Sequence, residues 1–155
     1  MTTLTRAEIV ELVKRQCEDL DPALICALIE QESGFDPWAI RFEPGFLNRY
    51  VIPLGLRSMT ESEARAFSWG LLQLMGQCAR ELGYAGPLAQ LCDPETNIFW
   101  GMRHLRNKMS TAGNDIRKAL LLWNGGGNSH YPDEVLSRVP RFTLLPADPR
   151  DVRGT

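Results

Sequence analysis

An almost wholly apolar run, Ala23 to Ile29, leads into two carboxylates, Glu30 and Glu32, just before Gly34. A carboxylate at the last turn of a buried helix meets the negative end of the helix dipole and partial desolvation, and both disfavour ionisation. Glu32 is therefore expected to hold its proton to unusually high pH, as a general acid working near neutrality must. Glu30, two positions earlier, points to another side of the helix and reads as solvated or salt-bridged. A further carboxylate, Glu43, sits between Arg41 and Arg49 and is expected either to pair with one of them or to stand as a second acid. His104 and His130 lack any metal-binding or nucleophile–base context, and His104 reads as an ordinary helix-surface residue. The four cysteines, Cys17, Cys26, Cys78 and Cys92, form no CxxC pair, so buried reduced thiols are expected and a Cys78–Cys92 disulfide is unsupported.

The elements that must position these groups are helices almost throughout. Thr5 with Glu8 reads as a capping box, followed by Ile9, Leu12, Val13 and Leu20 on one face. Asp21 and Pro22 open the apolar helix and Gly34 closes it, making it the central one. Thr60 with Glu63 predicts a short helix, and "GQCAREL" the next. Asp93 and Pro94 start another, with Ile98, Met102, Leu105 and Met109 turned inward. Asp115 caps "IRKALLLW", which stops at the run Gly125 to Gly127, and a last helix is expected over about 132–139. No β-rich region is visible. The irregular stretch 41–59, with Pro44, Gly45, Pro53 and Gly55, is too apolar for a disordered segment and predicts a loop or short hairpin folded over a site. Residues 141–155 read as a loose tail behind a single domain over 1–140.

Composition excludes several function classes. With 155 residues there is room for one domain with a real core. Lys and Arg total 17 against 19 Asp and Glu, so the basic excess of a nucleic-acid binder is missing. The apolar run is far shorter than the roughly 18 residues of a membrane span. The amphipathic, charged N-terminus lacks a signal-peptide core and cleavage site, which predicts synthesis in the cytoplasm without general secretion.

Glu32-Ser33 is followed in order by "FSWGLLQLMG", "NIFWGMRHL" and "ALLLWNGGG". In register these present Gly70-Leu71-Leu72-Gln73, then Asn97-Ile98 with Gly101, then Leu122-Trp123-Asn124-Gly125-Gly126. This ordered set, over about 22–139, resembles the soluble lytic transglycosylase family of the lysozyme-like superfamily. The resemblance implies a mainly α, lysozyme-like (goose-type) domain that cleaves the β-1,4 bond between N-acetylmuramic acid and N-acetylglucosamine in peptidoglycan, with Glu32 catalytic and no metal or cofactor. The family's tyrosine near the acid is Trp123 here, so stacking on a sugar is expected to survive and that hydrogen bond to be lost. The stretch before Gly70 is also longer than usual, and "RFEPGFLNRY" with "FSWGLLQLMG" is similar to phage-endolysin N-acetylmuramidases.

For such a substrate, Gln73, Asn124 and Ser68 are expected to supply polar contacts to sugar substituents, and Trp69, Trp123 and Tyr131 to supply ring faces or core. Three readings follow. A transglycosylase uses Glu32 twice and closes a 1,6-anhydro ring; a muramidase enlists Glu43 to activate water or stabilise positive charge; a glycan-binding module has lost catalysis, a reading that the Trp123 departure motivates and the retained Glu32 opposes. The partner expected is the peptidoglycan glycan strand, met by a monomer at the cell wall, with neither nucleic acid nor membrane insertion involved. Lack of a signal peptide suits a phage or prophage product delivered by a separate route.

Overall fold

Thr5 opens the first helix as expected: its side chain accepts from the Glu8 amide while the Glu8 carboxylate accepts from the Thr5 amide at 2.7 Å, a complete capping box. The computed structural model describes residues 4–143, and in it α1 (Arg6–Gln16) buries Ile9, Val10, Leu12 and Val13. The next helix, α2 (Pro22–Ser33), starts on the Asp21 side chain with proline in its first turn and ends at Gly34, whose φ is 60°. Every residue from Ala23 to Ile29 is buried, so α2 is wrapped on all sides. Packed against it are α1, α8 (Tyr131–Leu136) and α9 (Pro140–Thr143), with α6 (Pro94–Thr111) and α7 (Ile116–Trp123) completing the main core.

A smaller lobe departs most from the expected helices. Strand β1 (Ile40–Phe42) pairs antiparallel with β2 (Phe67–Trp69), which pairs antiparallel with β3 (Leu74–Met75). These strands are two or three residues long, too short for an alternating pattern to show in the sequence. The hairpin is thus β2–β3 around Gly70–Gln73, whereas the stretch 41–59 leaves β1 for helical turns: α3 (Pro44–Phe46), a π turn (Leu47–Val51) and a 3-10 turn (Ile52–Leu54). Next comes α4 (Met59–Arg65), capped by Ser58 rather than Thr60, because the Ser58 hydroxyl accepts from the Glu61 amide at 3.2 Å. After α5 (Gly76–Glu81), a 3-10 turn (Leu88–Cys92) leads into α6, and Leu74, Ala79, Tyr84, Leu88 and Leu91 form a second core under this lobe.

The expected tail also begins too early. Arg141 and Phe142 belong to α9, and Phe142 is buried against Phe35 at 5.9 Å between ring centroids. Apolar docking of Phe142 and the Arg141–Glu30 ion pair both hold this short turn on the domain; the rest of the expected tail, 144–155, lies outside the described residues. All four cysteines are free thiols, with Cys26 and Cys92 buried. Among the described residues no helix is long and apolar enough to cross a membrane.

Candidate active site

The two lobes face each other across an open cleft of about 430 Å³, and Glu32, from the last turn of α2, forms part of its wall. The neighbours of Glu32 in the chain are all engaged in holding that turn. Ser33 donates its hydroxyl to the Leu71 carbonyl at 2.8 Å, tying α2 to the β2–β3 turn. Gln31 donates to Glu134 at 3.1 Å and accepts from Arg138 at 2.9 Å, tying the same turn to α8 and the segment after it. Glu30 takes the salt-bridged role: it accepts from Arg6, Arg138 and Arg141 at 2.8, 3.2 and 2.9 Å. Only Glu32 of this set turns into the cleft.

Its carboxyl is held asymmetrically. Oε1 accepts from the Trp123 indole N–H at 3.0 Å and, through a short hydrogen bond, from the Tyr131 hydroxyl, while Oε2 receives no hydrogen bond from the described residues. Burial raises the Glu32 pKa above the usual carboxylate range; the Tyr131 and Trp123 donors and the Arg41 charge favour the ionised form but do not offset it. Tyr131 is pushed upward too, first by burial and then by the adjacent Glu32 charge, so its hydroxyl stays a donor.

Two expectations are corrected here. Trp123 does not lose the hydrogen bond to the acid, because its indole N–H occupies the donor role that a tyrosine hydroxyl would have had. Tyr131 offers no ring face to a sugar: it is 4% exposed, with its hydroxyl committed to Glu32. Trp123 remains at the cleft wall and is partly buried, packed against the core while its indole N–H reaches Glu32.

The turn opposite Glu32 explains the spacing of the middle motifs. Gly70 has φ 67°, and a Cβ there would lie 2.4 Å from the Leu91 carbonyl oxygen, so no other residue fits. Asn97, fully buried on α6, accepts from the Leu72 amide at 2.8 Å and donates to the Trp69 and Leu91 carbonyls at 2.8 and 2.7 Å. One turn on, Gly101 lets Leu72 approach, for a Cβ would stand 2.3 Å from Leu72 Cδ1. Gln73, itself at φ 47°, donates its amide to Ala39 and Gly70, both at 2.9 Å, and accepts from the Ser68 hydroxyl at 2.9 Å.

Ser68 and Gln73 line the cleft with their side-chain donors engaged inside the protein, so what they present to it is acceptor oxygen rather than N–H or O–H. The left-handed backbone at Gln73 requires local support, and its own side chain supplies it. Asn124 is different: it lines the cleft, its Oδ1 accepts from the Asn128 amide at 3.0 Å, and its Nδ2 donates to no described acceptor. Trp69 belongs to the second core, its indole donating to Ala64 at 3.0 Å. Glu43 does reach the cleft, where it pairs with Arg41 at 2.5 Å.

His104 was expected on a helix surface and instead lines the cleft, its ring 5.2 Å from that of Trp123. Burial, then the Lys108 charge, lowers its pKa to about 4, so it is neutral near pH 7. A sequence signal for it existed: Asn97, Gly101, His104 and Lys108 repeat at intervals of four, three and four, the spacing of one helix face. Reading the inward stripe from apolar residues alone passes over this polar face.

No solved structure matches this chain. The model of the family described as "Transglycosylase SLT domain" matches residues 12–134 and so spans Glu32, the Gly70–Gln73 turn, Asn97, Trp123 and Tyr131. With its mainly helical architecture and its acid between two lobes, the chain belongs to the transglycosylase SLT domain family, whose members are lytic transglycosylase-type enzymes acting on the peptidoglycan of the cell wall.

Proposed function

We propose that this protein is a lytic transglycosylase that breaks the β-1,4 bond between N-acetylmuramic acid and N-acetylglucosamine and closes a 1,6-anhydro ring. The observation that carries the reading is the Glu32 carboxyl: desolvated, raised in pKa, anchored through Oε1 and open at Oε2. In the first half of the reaction the acid gives its proton to the glycosidic oxygen as the bond to the muramic C1 breaks. In the second, the carboxylate so formed takes the proton of the muramic C6 hydroxyl while that oxygen bonds to C1. No water is consumed, and Glu32 ends as it began.

A hydrolase would need a second carboxylate to direct water or to stabilise the cationic sugar. Glu43 is the candidate, but Arg41 already neutralises it, which favours the transglycosylase. Trp123 and the free Asn124 amide supply the surface and the donor that a sugar bearing an N-acetyl group requires. Mass analysis of wall digests is the test. Products lighter by one water than hydrolysis products, abolished in Glu32→Gln and retained in Glu43→Gln, are expected. Products with a free reducing end, together with an inactive Glu43→Gln protein, would install the muramidase reading instead.

A further inference from the structure

Charge is unevenly spent inside the cleft. Arg41 and Glu43 cancel each other as an ion pair, and His104 is neutral near pH 7. The proposed mechanism starts from Glu32 in its protonated, uncharged form. Lys108 is what remains: a cation on the same face of α6 as His104, lining the cleft and partly buried. It lies close enough to His104 and Cys78 for its charge to act on both, yet no described carboxylate pairs with its ammonium and no described acceptor takes a hydrogen bond from it. A partly buried lysine lays its stem along the protein and holds its ammonium at the water-exposed end, here at the wall of the cleft. An ammonium so placed, with no described carboxylate beside it, is positioned to meet an anionic group of whatever occupies the cleft.

The sugar rings of a peptidoglycan strand are neutral, and the charge lies in the carboxylates of the peptide that each muramic acid carries. We propose that Lys108 recognises a carboxylate of that peptide, so that the enzyme selects strands by the charge of their peptide substituents. This rests on the glycan-strand reading of the cleft. Lys108 also stands in the last turn of α6, where a cation suits the helix dipole, and that role alone would give no dependence on substrate charge.

The experiment crosses two enzymes with two substrates: wild type and Lys108→Gln, each on peptide-bearing strands with free carboxylates and on the same strands with those carboxylates converted to methylamides. Wild type is expected to lose about five- to tenfold in kcat/KM on amidation, the scale of one sheltered charge pair. Lys108→Gln should show the same low value on both substrates, and Lys108→Glu should prefer the amidated one. Raising salt should shrink the wild-type preference. Equal losses for Lys108→Gln on both substrates, or a preference that survives the substitution, overturn the inference and leave Lys108 a helix-end charge. The same ratio read as Kd with soluble fragments, using Glu32→Gln and Glu32→Gln/Lys108→Gln proteins, separates this outcome from a failure of the catalytic reading. A wild type that cleaves neither substrate defeats the transglycosylase, whereas a binding ratio of one defeats the carboxylate.

Discussion

Glu32 accepts both of its protein hydrogen bonds on one oxygen, which directs the acidic proton to the other. Donors to a carboxylate favour its ionised form. Removing one should therefore raise an already raised pKa. In Trp123→Phe the alkaline limb of kcat against pH is expected to move to higher pH, with kcat falling about tenfold because the acid is less firmly placed; Tyr131→Phe should shift the limb the same way. A limb that stays put in both variants would mean that the limb reports another group. In the wild type, activity should decline as pH rises through a value above the ordinary glutamate 4.5, since the protonated acid is the active form. Glu32→Gln removes the buried charge that forms above that pH. Its thermal midpoint at pH 7 should be equal to or above that of wild type, while activity drops at least about 100-fold. The acid was legible in the sequence because an apolar run ending in a carboxylate is a local pattern. Its two donors were not, because Trp123 and Tyr131 lie 91 and 99 residues away in the chain and only tertiary packing brings them to one oxygen.

At the scale of elements, the Gly70–Gln73 turn and α6 act as one unit joined by Asn97. Asn97→Ala would strand a buried Leu72 N–H and two buried carbonyls, which at about 1–3 kcal/mol for each group left unpaired should cost several kcal/mol overall. The measurable outcome is a lower denaturation midpoint with activity lost in parallel, as the turn that Ser33 anchors to α2 loosens. Gly101→Ala should be milder, about 1–3 kcal/mol, because Leu72 is a side chain that can shift where a backbone carbonyl cannot. If Asn97→Ala proves the milder of the two, the hydrogen bonds are not what joins the turn to the helix. The helices were readable from their caps: Thr5, Asp21, Asp93 and Asp115 all serve as expected. The sheet was not, since strands of two or three residues are made by the turn and by Asn97 rather than by their own pattern. The extended stretch before Gly70 was correctly read as ordered, yet its helical turns have prolines and glycines that read locally as loop.

Across the whole molecule, Glu30 joins the first helix to the last turns by binding Arg6, Arg138 and Arg141. Burial by itself would raise its pKa, but hydrogen bonds from Arg138 and Arg6 and the charges of Arg6 and Arg141 outweigh it and hold the carboxyl below the usual range. A depressed folded-state pKa contributes stability that is present above the unfolded value and lost as pH falls through the folded one. Glu30→Gln is therefore expected to lower stability by about 1–3 kcal/mol at pH 7 and to converge with wild type in acid, followed by urea denaturation across pH. A deficit that persists unchanged below the folded pKa would point to packing and not to charge. This clasp has a practical corollary for anyone trimming the gene. The family match stops at residue 134 and starts at 12, so a chain cut to those limits keeps every motif residue and discards Arg6, Arg138, Arg141 and the buried Phe142. A chain cut to 12–134 is therefore expected to be less stable than one spanning 5–143, and expression boundaries should be drawn outside Thr5 and Thr143.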